Sequence, residues 1–354
     1  MDRDQYYWIT DPVEEYVPVK RYGPANQDES NMTFEVFNTG RLVRGNAKSI
    51  VGVIPPPGNI TLCTINEDLV ENDDISEASI MWSLKTRFFQ DKIYSSIGSI
   101  IIALNPYKLI SGLYTKEVSD VYRESGLSDV APTPPHIWRI AHGAYVQLTT
   151  RRVRQAIIIS GESGAGKTET TKKCLQYLSN IGSHSSGRES MISIDGARVV
   201  APIEDRVIGT NPLLESFGNS KTARNDNSSR FGKWLEVNFT LDTTLDPRHK
   251  RHGQLKLTGA AITQYLLEKS RVVFQSEGER NYHIFYQMCT DSELGLVSAN
   301  RYHFLNQSGC IVVDGINDAK EWNDTLASFD NLQFPGIVSQ PIPILIPFWY
   351  CRSW

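Results

Sequence analysis

The eight residues Gly161–Thr168, "GESGAGKT", hold three glycines, a lysine and a threonine in the spacing G-x-x-x-x-G-K-[ST]. That spacing suits phosphate chemistry. Consecutive backbone N–H groups can wrap phosphate oxygens, the lysine can neutralise the outer phosphates, and the threonine hydroxyl can reach Mg²⁺. A second group of residues lies downstream in "NDNSSRFGK", Asn225 to Lys233. It sets two amides, two adjacent hydroxyls and a guanidinium just before an alternating run, "KWLEVNF". Small hydroxyls are what a γ-phosphate sensor needs, because they can hold a metal ion and a water without crowding the transferring group. Alone, that stretch reads equally well as a polar turn entering a strand, and the phosphate loop tips the balance.

Elements on either side must hold the loop in place. "RQAIIIS" before it is a short β-branched run suited to a buried parallel strand, and "TETTKKCLQYL" after it is helix-compatible, which would set phosphate at a helix N-terminus. The segment from Tyr6 to about Ile65 alternates "YVPVKRY", "TFEVF", "RLVRG" and "SIVGVI" with the breaks "NTG" and "PPPG", as a small all-β module would. "DDISEASIMWSLKTRFFQ" reads as a helix with Asp74 as N-cap and Glu77 three positions later, carrying Trp82, Phe88 and Phe89 into a core. A β-rich "KIYSSIGSIIIALNPYK" follows, then a helical "WRIAHGAYVQLTTRR". "NIGSHSSGRES" reads as a flexible surface loop.

Composition bounds the possibilities. A chain of 354 residues has room for roughly two domains of about 100 to 200 residues each. Net charge is −4, from 36 basic and 40 acidic residues, which gives no bulk attraction to nucleic acid or to an acidic membrane. The five cysteines, at 63, 174, 289, 310 and 351, show no paired spacing and read as reduced cytosolic thiols. The N-terminus lacks the order of a secretory signal, and no apolar run reaches membrane-span length.

Four motifs in order resemble the myosin motor heads. "GESGAGKTETTKK" is similar to that family's phosphate loop, "NDNSSRFGK" to its switch I, "ALNPYK" to the segment bordering adenine, and "LLEKSRVVFQSEGERNYHIFYQM" to the stretch after its transducer hairpin. "WITDPVEEYVPV" resembles the SH3-like module of many myosins, and the resemblance runs from about Trp8 to Phe334. Kinesins share a related "SSR" switch but not its flanks, the N-K-x-D guanine motif of GTPases is absent, and a nucleotide kinase would share only the loop.

The resemblance implies an α/β fold: a phosphate-loop NTPase core with a mixed central sheet flanked by helices, preceded by an SH3-like β module. The expected divisions are residues 1–68, 69–334 and a non-family tail, 335–354. It implies ATP with Mg²⁺ as ligand, the actin filament as partner, and a cytoplasmic, cytoskeleton-associated location. Gly161, Glu162 and Ser163 would open the loop. Gly164, Ala165, Gly166 and Thr168 would offer backbone N–H groups, and Lys167 would meet the β- and γ-phosphates. Thr168 and Ser229 would be hydroxyl ligands of Mg²⁺. Ser228 would lie beside the attacking water, with Asn227 ordering the switch and Asn225 near the inner phosphates. Asn105, Pro106, Tyr107 and Lys108 would edge the purine. Tyr114 falls where an adenine-side tyrosine is expected, across the longer spacing "KLISGLY".

Three stretches depart from the family or tempt other readings. "RHKRHG", Arg248–Gly253, reads as a charged hairpin turn rather than a metal cluster. "CIVVDG", Cys310–Gly315, has the look of an apolar strand ending in aspartate, yet it does not align with switch II, so Asp314 is not expected to hold metal. "PGIVSQPIPILIPFWYCRSW" alternates proline with bulky apolar residues and cannot form a regular helix. With no switch II strand in the sequence, Arg230 is expected to lack its glutamate partner, and the chain reads as the nucleotide-binding part of a motor. The alternative is a non-catalytic, truncated nucleotide-binding fragment or an unstable product.

Overall fold

The computed structural model describes residues 5–24, 30–124, 133–183, 203–241 and 255–332. The loop expected at 180–190, beyond its first residues, the "RHKRHG" turn and the 335–354 stretch lie outside the described residues. The chain divides into two compact units, Met1–Val146 and Gln147–Trp354. The expected division at residue 68 falls inside the first unit.

The first unit opens with β1 (Tyr6–Asp11), β2 (Glu15–Tyr22), β3 (Met32–Val36), β4 (Leu42–Gly45) and β5 (Ile50–Val53). They form one antiparallel sheet in the order β4-β3-β2-β1-β5. Strict alternation in β3 sends Met32, Phe34 and Val36 inward, onto Tyr7, Ile9, Val17 and Val19. Asp11 builds the β1–β2 turn: its Oδ1 accepts the Val13 and Glu14 amides at 2.9 and 3.0 Å, while its Oδ2 takes Arg41 at 2.9 Å.

Trp8 points to the other face of that sheet and packs with Ile54, Leu62, Ala78 and Trp82. These last residues bring in α1 (Gly58–Cys63) and α2 (Glu77–Phe89). The N-cap of α2 is Ser76, whose hydroxyl accepts the Ser79 amide at 3.4 Å, and not Asp74. Asp74 instead accepts the Trp8 indole N–H at 2.9 Å and the Ser76 amide at 2.8 Å. A long-range indole donor thus claims the carboxylate that the local pattern assigns to the helix. Phe89 also departs from expectation, being 77% exposed. The buried face near the end of α2 carries Arg87 instead, which donates to Ser95 Oγ at 2.8 Å and to the Tyr94 carbonyl at 2.7 Å.

In the β-rich stretch, strands β6 (Tyr94–Ile97) and β7 (Ile100–Ala103) form a hairpin, followed by α3 (Lys116–Glu124) and α4 (Ile137–Arg151). His136 sits in an aromatic cage of Tyr94, Tyr114, Tyr122 and Trp138.

The second unit contains α5 (Lys167–Ser183), α6 (Ile203–Gly209), α7 (Asn211–Gly218), the short pair β8 (Asn219–Ser220) and β9 (Ser228–Ser229), and the long hairpin β10 (Gly232–Leu241) with β11 (Leu255–Tyr265). Helices α8 (His283–Met288), α9 (His303–Asn306) and α10 (Asp318–Asn331) complete it. Tyr282, Ile284, Met288 and Trp322 form a core where α8 and α10 meet.

The mixed central sheet is not found among the described residues. Every ladder between strands there is antiparallel, and outside the five-stranded sheet each sheet has two strands. "RQAIIIS" in particular forms no strand, and Ile158 is 87% exposed. A buried parallel strand needs neighbours on both edges to take its amides and helices over both faces. No described strand pairs with residues 152–160. "CIVVDG" likewise forms no strand, and its Val312 is 78% exposed. No helix among the described residues is long and apolar enough to cross a membrane.

Candidate functional site

The phosphate-type loop keeps its shape through two glycines in left-handed backbone, Gly164 at φ 83° and Gly166 at φ 91°. A side chain at either position would be strained. Its last turn runs into α5, where the Thr170 amide already donates to the Gly166 carbonyl at 2.9 Å. The first amides of α5 therefore lack helical partners and carry the positive end of a 17-residue helix dipole. Lys167 Nζ donates to the carbonyls of Gly161 and Glu162 at 2.8 and 2.9 Å, so its ammonium rests across the start of the loop.

The second constellation folds onto this loop. Ser228 Oγ lies 2.8 Å from Ser163 Oγ, joining residues 65 apart in sequence. Asn225 Nδ2 donates to the same Ser163 oxygen at 3.4 Å. Locally, the Asn227 backbone amide donates to Asn225 Oδ1 at 3.1 Å, and Asn219 Nδ2 donates to Asn227 Oδ1 at 2.8 Å. Asn227 in turn donates to Glu215 at 3.1 Å. Because Ser228 and Ser229 are consecutive in β9, they face opposite ways: Ser228 is buried and Ser229 exposed. Thr168 occupies the first turn of α5.

Arg230 pairs with a glutamate within the described residues, Glu268, which is not the switch II glutamate whose absence is expected. Its Nε donates to Glu268 Oε2 at 2.6 Å and its NH1 to Ser228 Oγ at 3.3 Å. Glu268 lies 38 residues downstream, beyond the β10–β11 hairpin that returns the chain to β9. Burial acts to raise the Glu268 carboxyl, but the guanidiniums of Arg230 and Arg271 outweigh it and hold the group below its usual range. The charged pattern "EKSR" was visible in the sequence, but nothing local linked it to Arg230.

The residues expected to edge a purine lie in the first unit. The Tyr107 amide donates to Asn105 Oδ1 at 3.0 Å across Pro106, Tyr107 is 83% exposed, and Lys108 Nζ pairs with Asp91 at 2.6 Å. Tyr114 belongs to the aromatic cage: its ring meets His136 and Trp138 edge-on at 5.5 and 5.6 Å, and its hydroxyl lies 2.7 Å from that of Tyr94. Asp314 lies in a turn, and no cluster of three His, Cys, Asp or Glu residues that could hold a metal occurs among the described residues.

One glycine controls how closely the switch can approach. A Cβ on Gly218 would lie 2.2 Å from the Phe231 ring, and the Gly218 carbonyl accepts the Arg230 amide at 2.8 Å. Gly218→Ala is expected to push Phe231 and Arg230 outward, at a cost of about 1 to 3 kcal/mol in stability, the usual range for overpacking. Urea unfolding checks this, and an unchanged midpoint would show that Phe231 swings aside freely.

The family described as Myosin head (motor domain) matches residues 66–342. The chain is 34% identical over 319 residues to Myosin-2 of Arabidopsis thaliana, covering 88% of this chain and 23% of that protein. It is 39% identical over 279 residues to Unconventional myosin-Va of Gallus gallus, covering 77% and 14%. With Myosin heavy chain IB of Acanthamoeba castellanii it is 41% identical over 265 residues, covering 73% and 20%. The class is that of the α/β phosphate-loop NTPases. Within it, the chain belongs to the myosin head (motor domain) family. It spans under a quarter of the length of these relatives. The matched range includes residues 335–342.

Proposed function

We propose that this chain binds ATP with Mg²⁺ through Gly161–Thr168 and Asn225–Arg230, as the nucleotide-binding part of an actin-based motor. The single observation that carries this is the Ser163–Ser228 hydrogen bond, which sets the phosphate loop and the hydroxyl pair against each other. The donor set suits a hard cation: Thr168 and Ser229 each follow directly on a residue of that junction or its lysine, and both offer neutral oxygens. Bound magnesium would neutralise charge on the phosphates. Lys167 then holds the outer phosphates, the loop amides bind phosphate oxygens, and Ser228, fixed by Ser163 and Arg230, orients the attacking water. Asn227 orders the switch through Glu215 and Asn219. The purine contacts proposed for Asn105, Pro106, Tyr107, Lys108 and Tyr114 rest on family resemblance alone. Movement on actin, in the cytoplasm, rests on family membership.

The metal assignment predicts a contrast. Ser229→Ala should raise the Mg²⁺ concentration needed for labelled-ATP binding by about tenfold, the effect of one lost ligand worth about 1.4 kcal/mol. Asp314→Ala should leave that requirement unchanged. The reverse pattern would move the metal to the "CIVVDG" turn and sink the reading.

A further inference from the structure

We propose that Arg271 is a positioning residue that clamps both ends of the switch segment 223–230 through two carboxylates, without itself reaching the nucleotide. This rests on the assignment of that segment to the nucleotide site. Arg271 is almost fully enclosed, with 6% of its side chain exposed. Its Nε donates to Glu268 Oε2 at 2.8 Å and its NH2 to Glu268 Oε1 at 3.4 Å. Its NH1 donates to Glu279 Oε2 at 2.9 Å and to the Arg280 carbonyl at 3.1 Å.

Each of those carboxylates spends its other capacity on the switch. Glu268 Oε2 accepts Arg230 Nε at 2.6 Å, at the C-terminal end of the segment. Glu279 Oε1 accepts the Ala223 backbone amide at 3.1 Å, at the N-terminal end. Backbone bonds run beside both contacts, from the Glu268 amide to the Arg230 carbonyl and from the Arg280 amide to the Lys221 carbonyl, each at 3.0 Å. One planar guanidinium therefore fixes the spacing between the two carboxylates, and through them the span of the loop that presents Asn225, Asn227, Ser228 and Ser229. The fork geometry matters: five donors in a plane can satisfy two carboxylates at once, whereas an ammonium is a point charge. Arg271 is also backed by Gln275, whose side chain donates to the Arg271 carbonyl.

The test is residue-resolved hydrogen exchange on the nucleotide-free chain, followed by MgATP affinity. Arg271→Met should speed exchange of the Ala223 and Arg230 amides by about tenfold or more, as local opening predicts, with the β10–β11 amides unchanged. Arg271→Lys should restore protection at one end only. MgATP affinity should fall about tenfold in Arg271→Met, matching the loosened switch by linkage. Unchanged exchange at both ends, equal acceleration across β10–β11, full rescue at both ends by lysine, or unchanged affinity with a loosened switch would each overturn the clamp. Should Arg271→Met not fold, Glu279→Gln keeps an acceptor for the Ala223 amide but removes the charge tied to Arg271. It should loosen Ala223 and leave Arg230 protected, and protection unaltered at Ala223 would overturn the proposal. If the wild-type chain bound no MgATP, the nucleotide assignment would fail, and the exchange pattern alone would still decide whether Arg271 clamps the segment.

Discussion

Lys167→Ala lowers the affinity for MgATP by about a hundredfold or more while leaving the fold intact. A unit charge about 4 Å from a phosphate oxygen is worth about 4 kcal/mol in a partly screened site, and part of that is returned by water and Mg²⁺ once the lysine is gone. At about 1.4 kcal/mol per tenfold, the surviving share still amounts to two decades or more. The structure favours a large effect because the ammonium is already held across the loop by the Gly161 and Glu162 carbonyls. Little side-chain entropy remains to be lost on binding. The fold should tolerate the change, since alanine suits the first turn of α5 and no carboxylate depends on this lysine among the contacts seen. Equilibrium binding of labelled nucleotide to wild type and variant, with thermal unfolding of both, decides it. Affinities within twofold of each other would mean that Gly161–Thr168 is not the phosphate site.

Acid should begin to destabilise both units above the range in which most carboxylates titrate, because each unit holds a histidine that folds neutral. In the first, His136 Nδ1 accepts the Trp138 amide at 3.0 Å and Nε2 faces the Leu113 carbonyl at 3.2 Å. The proton therefore sits on Nε2, and a second one on Nδ1 would set two donors against each other. Burial pushes its pKa from 6.5 down to about 4, against the Leu113 carbonyl. In the second unit, burial and then the Arg280 charge push His283 from 6.5 down to about 4, with Asp226 opposing.

The sign follows from linkage. Between pH 6.5 and about 4 the unfolded chain binds the protons and the folded chain does not, so stability is complete above 6.5 and falls with pH. Each histidine contributes a loss of about 2 kcal/mol by pH 5 and about 3 kcal/mol below pH 4. Against a domain stability of about 5 to 15 kcal/mol, that is a large share. Burial raises the Glu321 carboxyl, which offsets the loss slightly near the lower edge of the window. Urea unfolding at pH 7 and pH 5 measures the total. His136→Gln and His283→Gln should each flatten the dependence by about 2 kcal/mol between pH 7 and pH 5, with His142, also pushed down by burial, adding its own part. Equal stability at the two pH values would show that neither ring is held neutral.

What was legible in the sequence was contiguous. Gly161–Thr168 and Asn225–Lys233 each place their working groups within a few residues, so type and spacing alone point to phosphate chemistry. Alternation gave β3 and β10, and the helical character of "TETTKKCLQYL" gave α5, because periods of 2 and 3.6 are local properties of the chain. Local pattern failed wherever a distant group competed. Asp74 fits a capping box, but an indole 66 residues away in sequence takes it, and Ser76 caps α2 instead. The β-branched run at 157–159 has every local mark of a strand, yet a strand is a relation between two segments, and none of the described residues supplies the second.

The sequence by itself therefore determined the family and the two contiguous polar stretches, Gly161–Thr168 and Asn225–Lys233. Only the tertiary structure decided how they are held. Arg230 meets Glu268 because the β10–β11 hairpin carries the chain out and back, and Ala223 meets Glu279 because Arg271 lies buried between the two carboxylates. Ion pairs of this kind follow from which segments the fold brings within about 3 Å, a distance set by packing, while sequence separation says nothing about it.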